Sequence, residues 1–192
     1  DIAEAPHLMV EFHGSPDSTA QDAERFAEIV ADHGGSAFRW SGREEERRAL
    51  WSMRHNGYYA ILAARPGARG VVTDICVPIS RLAEAVEATQ ADIAASGIPG
   101  PILGHVGDGN FHAILLIDPD QPAELQTAKD LAARMAKRAL QLGGTCTGEH
   151  GIGLGKQQFL VDELGDAVEM MRLIKRAIDP KDLFNPGKIF QL

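Results

Sequence analysis

Apolar and polar positions along the chain alternate between two periods, and the changes of period mark the elements. Leu8 to Phe12 has the alternation of a short strand. A helical period follows from Thr19 to Asp32, with Ser18 as its cap and Ala23, Phe26, Ile29 and Val30 on its inner face. His33-Gly34-Gly35 ends that helix, and Ala37 to Trp40 reads as a second strand. A second helix opens at Ser41-Gly42-Arg43 and runs to Ala64, where Arg65-Pro66-Gly67 stops it. The β-branched run from Gly70 to Val77 predicts a strand closed by Pro78. Ser80 caps a helix through Ser96 with Leu82, Val86 and Ile93 inward. Two apolar runs, Ile102 to Val106 and Phe111 to Ile117, flank a tight turn. A long helix follows over Pro122 to Leu142, then a glycine-rich loop, then short helices over 156–164 and 166–178.

The clearest strand pair is a hairpin, which favours an α+β layer over a doubly wound parallel sheet. The expected fold is an antiparallel sheet with helices packed on one face, built as two ferredoxin-like halves, the first less complete. The whole of residues 1–192 reads as one such domain, with no convincing linker.

Asp108-Gly109 at the tip suits a type I′ turn, which sets His105 directly opposite His112. Opposed side chains share a face with Cβ atoms roughly 4.5–5.5 Å apart, close enough to share one metal ion. A register shift of one residue would remove this argument. Glu149-His150, flanked by Gly148 and Gly151, offers a carboxylate as third ligand. Two histidines and a carboxylate leave positions open for substrate. Being adjacent, Glu149 and His150 are free to point apart, one toward a metal and one toward proton chemistry. Alone, the loop reads equally well as a structural turn.

Arg54, beside Trp51 and one helical turn from Tyr58, suits a substrate carboxylate, though on pattern alone a solvated arginine over an aromatic stripe is the preferred reading. Asn185 precedes Pro186 and is expected to be extended.

Composition narrows the function classes. The net charge of −8 disfavours nucleic acid as a partner. No apolar run approaches the roughly 20 residues of a membrane span. Two cysteines in no metal-like spacing point to a reducing compartment, read as the cytoplasm, with peripheral attachment to the cytoplasmic side of a membrane as the alternative. Gly151-Ile152-Gly153-Leu154-Gly155-Lys156 fails as a phosphate loop in both spacing and its Gln157.

The stretches LWSMRHNGYYA, TDICVPISRL, GHVGDGNFHAILL, GTCTGEHGIGLGK and DPKDLFNPGKI together resemble the C-terminal domain of FAD-linked oxidases of the vanillyl-alcohol-oxidase type. Within that family the likeness is greatest to cytochrome-linked D-lactate dehydrogenases, with glycolate oxidase D subunits and D-2-hydroxyglutarate dehydrogenases as relatives. The resemblance implies a cap over a separate N-terminal FAD-binding domain, which these residues do not include. It implies a divalent metal (zinc, manganese or iron) on His105, His112 and Glu149, and His150 as catalytic base beside FAD. It also implies that Arg54 binds the substrate carboxylate, and that Asn110 and Asn185 lie near substrate or flavin. Val72 stands where D-2-hydroxyglutarate dehydrogenases carry a lysine, which implies a monocarboxylate such as D-lactate. The implied partners are the flavin domain, a small D-2-hydroxy acid, and an electron acceptor such as cytochrome c, a quinone or an electron-transfer flavoprotein. A homodimer is compatible with the resemblance. From the residues alone, a metal-dependent hydrolase and a non-catalytic small-acid or metal-binding module stay open as alternatives.

Overall fold

In the computed structural model, which describes residues 5–192, the chain divides into two units, residues 1–55 and 56–192.

The first unit carries helix α1 (Pro16–Asp32) and helix α2 (Glu44–His55). Ser15, not Ser18, caps α1, its hydroxyl accepting from the Ser18 N–H at 3.3 Å, and Pro16 takes the first helical position. Neither Leu8–Phe12 nor Ala37–Trp40 forms a strand. Each instead sets a phenylalanine against α1, and Ala37 takes a left-handed φ of 55°. Phe12 and Phe38 both pack against Phe26, with ring centroids 5.8 and 5.9 Å from its own. A strand needs a ladder partner, and neither segment finds one among the described residues. Ile29, expected inside, is exposed, while Ala23 is buried.

The predicted helix from 41 to 64 is interrupted. Helix α2 stops at His55, Asn56 takes φ −87° and ψ 0°, and α3 (Gly57–Ala63) begins anew. Asn and Gly side by side are the weakest helix formers in the run, which explains the site of the break.

The second unit is built around one strand. Strands β1 (Arg69–Val72), β2 (Ile75–Cys76) and β3 (Ile102–His105) all pair antiparallel with β4 (Asn110–Ile117), whose eight residues are all buried. Helices α4 (Leu82–Ser96) and α5 (Pro122–Gln141) follow β2 and β4, with boundaries close to the sequence reading. They cover the face bearing Phe111, Ala113, Leu115 and Ile117 through Ala85, Val86, Ala128, Leu131, Met135 and Ala139. Burying each large side chain there contributes about 1.5–3 kcal/mol. An Arg138–Asp92 ion pair at 2.6 Å joins α5 to α4. Arg65 donates to both carboxylate oxygens of Glu124, at 2.7 and 2.9 Å, and to the Leu116 carbonyl, tying the segment after α3 to the end of β4 and the start of α5.

On the opposite face of β4 lie Asn110, His112 and Ile114. Helix α3 covers only its far end, where Leu62 and Tyr58 approach Gly70 beside Ile114. The rest of that face is met by the loop before α6 (Gln157–Leu164). Helix α7 (Ala167–Ile178) and the tail follow. The class is α+β with an antiparallel sheet, as the pattern predicted.

Candidate active site

Strands β1 and β2 form a single edge with a gap. The register on β4 is the same on both sides, Val72 opposite Ile114 and Ile75 opposite Phe111, so Thr73 and Asp74 fall opposite Ala113 and His112. The gap arises because Thr73 answers β4 with its side chain. Its N–H donates to the Ala113 carbonyl at 3.0 Å, and its hydroxyl accepts from the Ala113 N–H at 2.8 Å. The Thr73 carbonyl is thereby released from the ladder and lies 2.9 Å from Nδ1 of the buried His112. A carbonyl only accepts, so Nδ1 carries the ring proton and Nε2 keeps a lone pair.

That lone pair faces the Glu149 carboxylate, with Nε2 and Oε1 2.7 Å apart. Two acceptors this close need a bridging proton or a shared metal ion between them. The His150 ring lies parallel on the His112 ring, with centroids 4.9 Å apart and planes 12° apart. The neighbours Glu149 and His150 therefore do not diverge, as adjacency allowed; both bear on His112. Their side chains are 48% and 47% exposed, against 7% for His112, so the group is open to solvent on one side. Asp74, His112 and His150 present ligand-type atoms within 4.8 Å of one another.

The loop is held from beneath by Asp74, a buried residue that the sequence reading assigned no role. Its Oδ2 accepts from the Thr147 hydroxyl at 2.8 Å, the Gly148 and His150 N–H groups at 3.0 Å, and the Lys156 ammonium at 3.0 Å. Its Oδ1 accepts from the Asn110 amide at 2.9 Å and the Glu149 N–H at 3.2 Å. Burial alone would push the Asp74 carboxyl up. The His150 N–H, the Lys156 ammonium, the Thr147 hydroxyl and the Asn110 amide outweigh it and hold the group well below the usual carboxylate range. Lys156, where the phosphate-loop reading failed, thus has a partner: it also donates to the Asp74 carbonyl at 2.8 Å.

The hairpin differs from the sequence expectation. Only Gly109 has positive φ, at 77°, so the type I′ turn with Asp108 and Gly109 at its tip does not form. A short 3-10 turn over Val106–Asp108 precedes Gly109, which makes a four-residue connection. His105 then stands opposite Asn110, and Leu103 opposite His112. The slip of two residues preserves the side-chain alternation but moves His105 two ladder positions along from His112. His105 is exposed and lies outside the Asp74–His112–His150 group.

The remaining expected site residues lie on separate elements. Asn110 is buried; its Nδ2 donates to Asp74 and to the Ile75 carbonyl, both at 2.9 Å, and its Oδ1 has no partner. Arg54 is half-buried in the last turn of α2, in the first unit, whereas Tyr58 belongs to α3 in the second. Asn185 is exposed and left-handed, with φ 50°, not extended as its place before proline predicted. Its Oδ1 accepts from Lys188 at 3.2 Å in a turn that Gln157 and the Gly153 carbonyl bind back to the start of α6. Asparagine tolerates that conformation better than most residues.

Cys76 and Cys146 are free thiols. Burial and a hydrogen bond to Glu163 push the Cys146 thiol up to about 12, which makes it unreactive. No helix among the described residues is long and apolar enough to cross a membrane.

The family model for FAD linked oxidases, C-terminal domain, matches residues 1–189. A probable mitochondrial D-lactate dehydrogenase of Danio rerio is 48% identical over 191 residues, covering 99% of this chain and 38% of that protein. A mitochondrial D-lactate dehydrogenase [cytochrome] of Arabidopsis thaliana is 38% identical over 190 residues, covering 98% and 34%. The chain thus spans between a third and two fifths of the length of these relatives. The solved 4-ethylphenol oxidase of Gulosibacter chungangensis, in its isoeugenol complex, matches in fold with a TM-score of 0.55 at 18% identity, covering 89% of this chain and 37% of that one. With nearly every residue matched, the chain belongs to the family of C-terminal domains of FAD-linked oxidases.

Proposed function

We propose that this chain is the substrate- and metal-binding cap of a flavin-dependent D-2-hydroxy acid dehydrogenase that oxidises a D-lactate-like monocarboxylate to its 2-oxo acid. The observation that carries the reading is the contact between His112 Nε2 and Glu149 Oε1 at 2.7 Å, with the other ring nitrogen already committed to Thr73. That donor set fits a divalent cation, zinc, manganese or iron, with His105 as the further ligand implied by resemblance. A bound ion would supply Lewis-acid polarisation of the substrate's carboxylate and hydroxyl oxygens. FAD, held mainly by a domain outside these residues, would accept the α-hydrogen as hydride.

The residues of this chain do the rest. His150, half-exposed on the His112 ring, takes the hydroxyl proton at a ring nitrogen. Arg54, which makes no ion pair among the described residues, takes the substrate carboxylate. Asn110, whose Oδ1 is buried and unpartnered, lies near the substrate, as the resemblance implies. Asn185 lies near substrate or flavin. Val72 pairs with Ile114, on the His112 side of the sheet, and offers no charge to a second carboxylate. That supports D-lactate over a dicarboxylate. The names of the relatives support the same activity; the electron acceptor is cytochrome c, a quinone or an electron-transfer flavoprotein, as the resemblance implies. Free thiols suit a reducing compartment, cytosolic or mitochondrial.

Metal analysis and flavin reduction test the reading. The purified chain is expected to hold one zinc, manganese or iron ion, lost in His112→Ala and Glu149→Gln and weakened in His105→Ala. Joined to its flavin domain, it is expected to bleach FAD with D-lactate but not L-lactate. Stoichiometric metal surviving both the His112 and Glu149 substitutions, or a flavin indifferent to D-lactate, would overturn it.

A further inference from the structure

Six side-chain and backbone donors converge on one buried carboxylate. Five of them come from two segments far along the chain: the turn Thr147–His150 and Lys156 at the start of α6. The sixth, Asn110, lies on β4 two residues from His112. Only an ionised carboxylate can accept from all of them, because an amide in its place would set an N–H₂ against N–H donors on one side. Asp74 also stands directly across β4 from His112, with Oδ1 3.8 Å from Nδ1. It therefore touches both halves of the site, the ring and the turn that brings two side chains to the ring.

We infer that Asp74 is the positioning residue of this site: its carboxylate clamps the Thr147–His150 turn onto the sheet and so sets Glu149 and His150 against His112. Asp74 touches no reacting atom and coordinates nothing itself, since both its oxygens are spent on donors. Its effect on chemistry is through the placement of its neighbours. The geometry explains why adjacent residues in a glycine-flanked loop point the same way. Three successive N–H groups, from Gly148 to His150, curl around one carboxylate, and a backbone so curled presents side chains 149 and 150 together. Lys156 completes the clamp by compensating the buried charge.

The inference rests on the proposed metal and substrate site, so its test has one arm that needs a metal and one that does not. Asp74→Asn and Thr147→Val are made in the full chain, with far-UV circular dichroism as the check on folding. In the first arm, cobalt(II) is titrated and its visible spectrum recorded. Removal of an outer partner of a metal site costs 10–100-fold in affinity, so Asp74→Asn is expected to weaken cobalt by at least about tenfold and alter its spectrum. Thr147→Val, which removes one donor of six, is expected to weaken it several-fold. In the second arm, ring-proton NMR of metal-free protein follows the mutual ring-current shifts of His112 and His150, which are expected to shrink in both variants. Variants that fold and keep both the cobalt affinity and the ring shifts would overturn the inference. Where Asp74→Asn fails to fold, Thr147→Val alone decides by the same criteria. If the unaltered chain binds no cobalt, the metal reading fails, and the ring shifts still judge Asp74.

Discussion

The Thr73 carbonyl is withdrawn from the sheet to hold the ring of His112, while the Thr73 hydroxyl takes the vacated place against the Ala113 N–H. One threonine thus does two things that a valine of the same shape cannot do together. It keeps the edge strand paired with β4, and it fixes the tautomer that turns the His112 lone pair toward Glu149.

Thr73→Val separates these roles. The Ala113 N–H, buried in β4, either loses its acceptor or recaptures the Thr73 carbonyl from His112. The first outcome costs about 1–3 kcal/mol of stability, read from urea midpoints. The second frees the ring to adopt the other tautomer and lowers zinc affinity by about 10–100-fold. A variant with unchanged stability and unchanged zinc affinity would refute this account of the gap between β1 and β2.

Gly148 sits where the turn passes closest to β4. A Cβ there would come within 1.9 Å of Asn110 Nδ2 and 3.0 Å of Asp74 Oδ1. Gly148→Ala is therefore expected to push the turn off the sheet, losing metal binding and about 1–3 kcal/mol of stability. Gly155→Ala meets no atom within 4 Å and serves as the control, with stability changed by less than about 0.5 kcal/mol.

Acid should weaken the tail at a defined point. The Lys175 ammonium, with the Leu183 and Phe184 N–H groups, holds the Asp179 carboxyl down at about 2 against a desolvation that would raise it. A carboxyl depressed in the folded state adds stability above its unfolded value, near 3.9, and loses that contribution as pH falls toward the folded value. The urea midpoint of the protein is expected to fall between about pH 4 and pH 2 for this reason. Asp74, depressed further, extends the loss to lower pH. In Asp179→Asn the curve should be flatter through that window and lower at pH 7. An identical slope in the variant would show that Asp179 contributes nothing to it.

Much of this architecture was legible from pattern. The helices α4 to α7 and the strands β3 and β4 lie within a few residues of where periodicity and punctuation put them, because each is fixed by local propensity and one buried face. The strands expected near Leu8 and Ala37 failed for the complementary reason. Their alternation is real, but it serves the Phe12–Phe26–Phe38 cluster and not a ladder. The register of the hairpin also escaped pattern. Asp108-Gly109 is compatible with more than one turn, and the choice fell to Gly109, whose carbonyl accepts from the Val77 N–H, a bond from outside the hairpin.

By itself, the sequence determined the class of fold, the family, and the residue types able to hold a metal and move a proton. Tertiary structure decided which of them meet. His112, Glu149 and His150 come together, and His105 stands two ladder positions away, because strand register and loop path depend on partners distant in sequence. Asp74 is the clearest case. Its donors lie 36 to 82 residues downstream, and no local period records a carboxylate whose significance comes from what folds onto it.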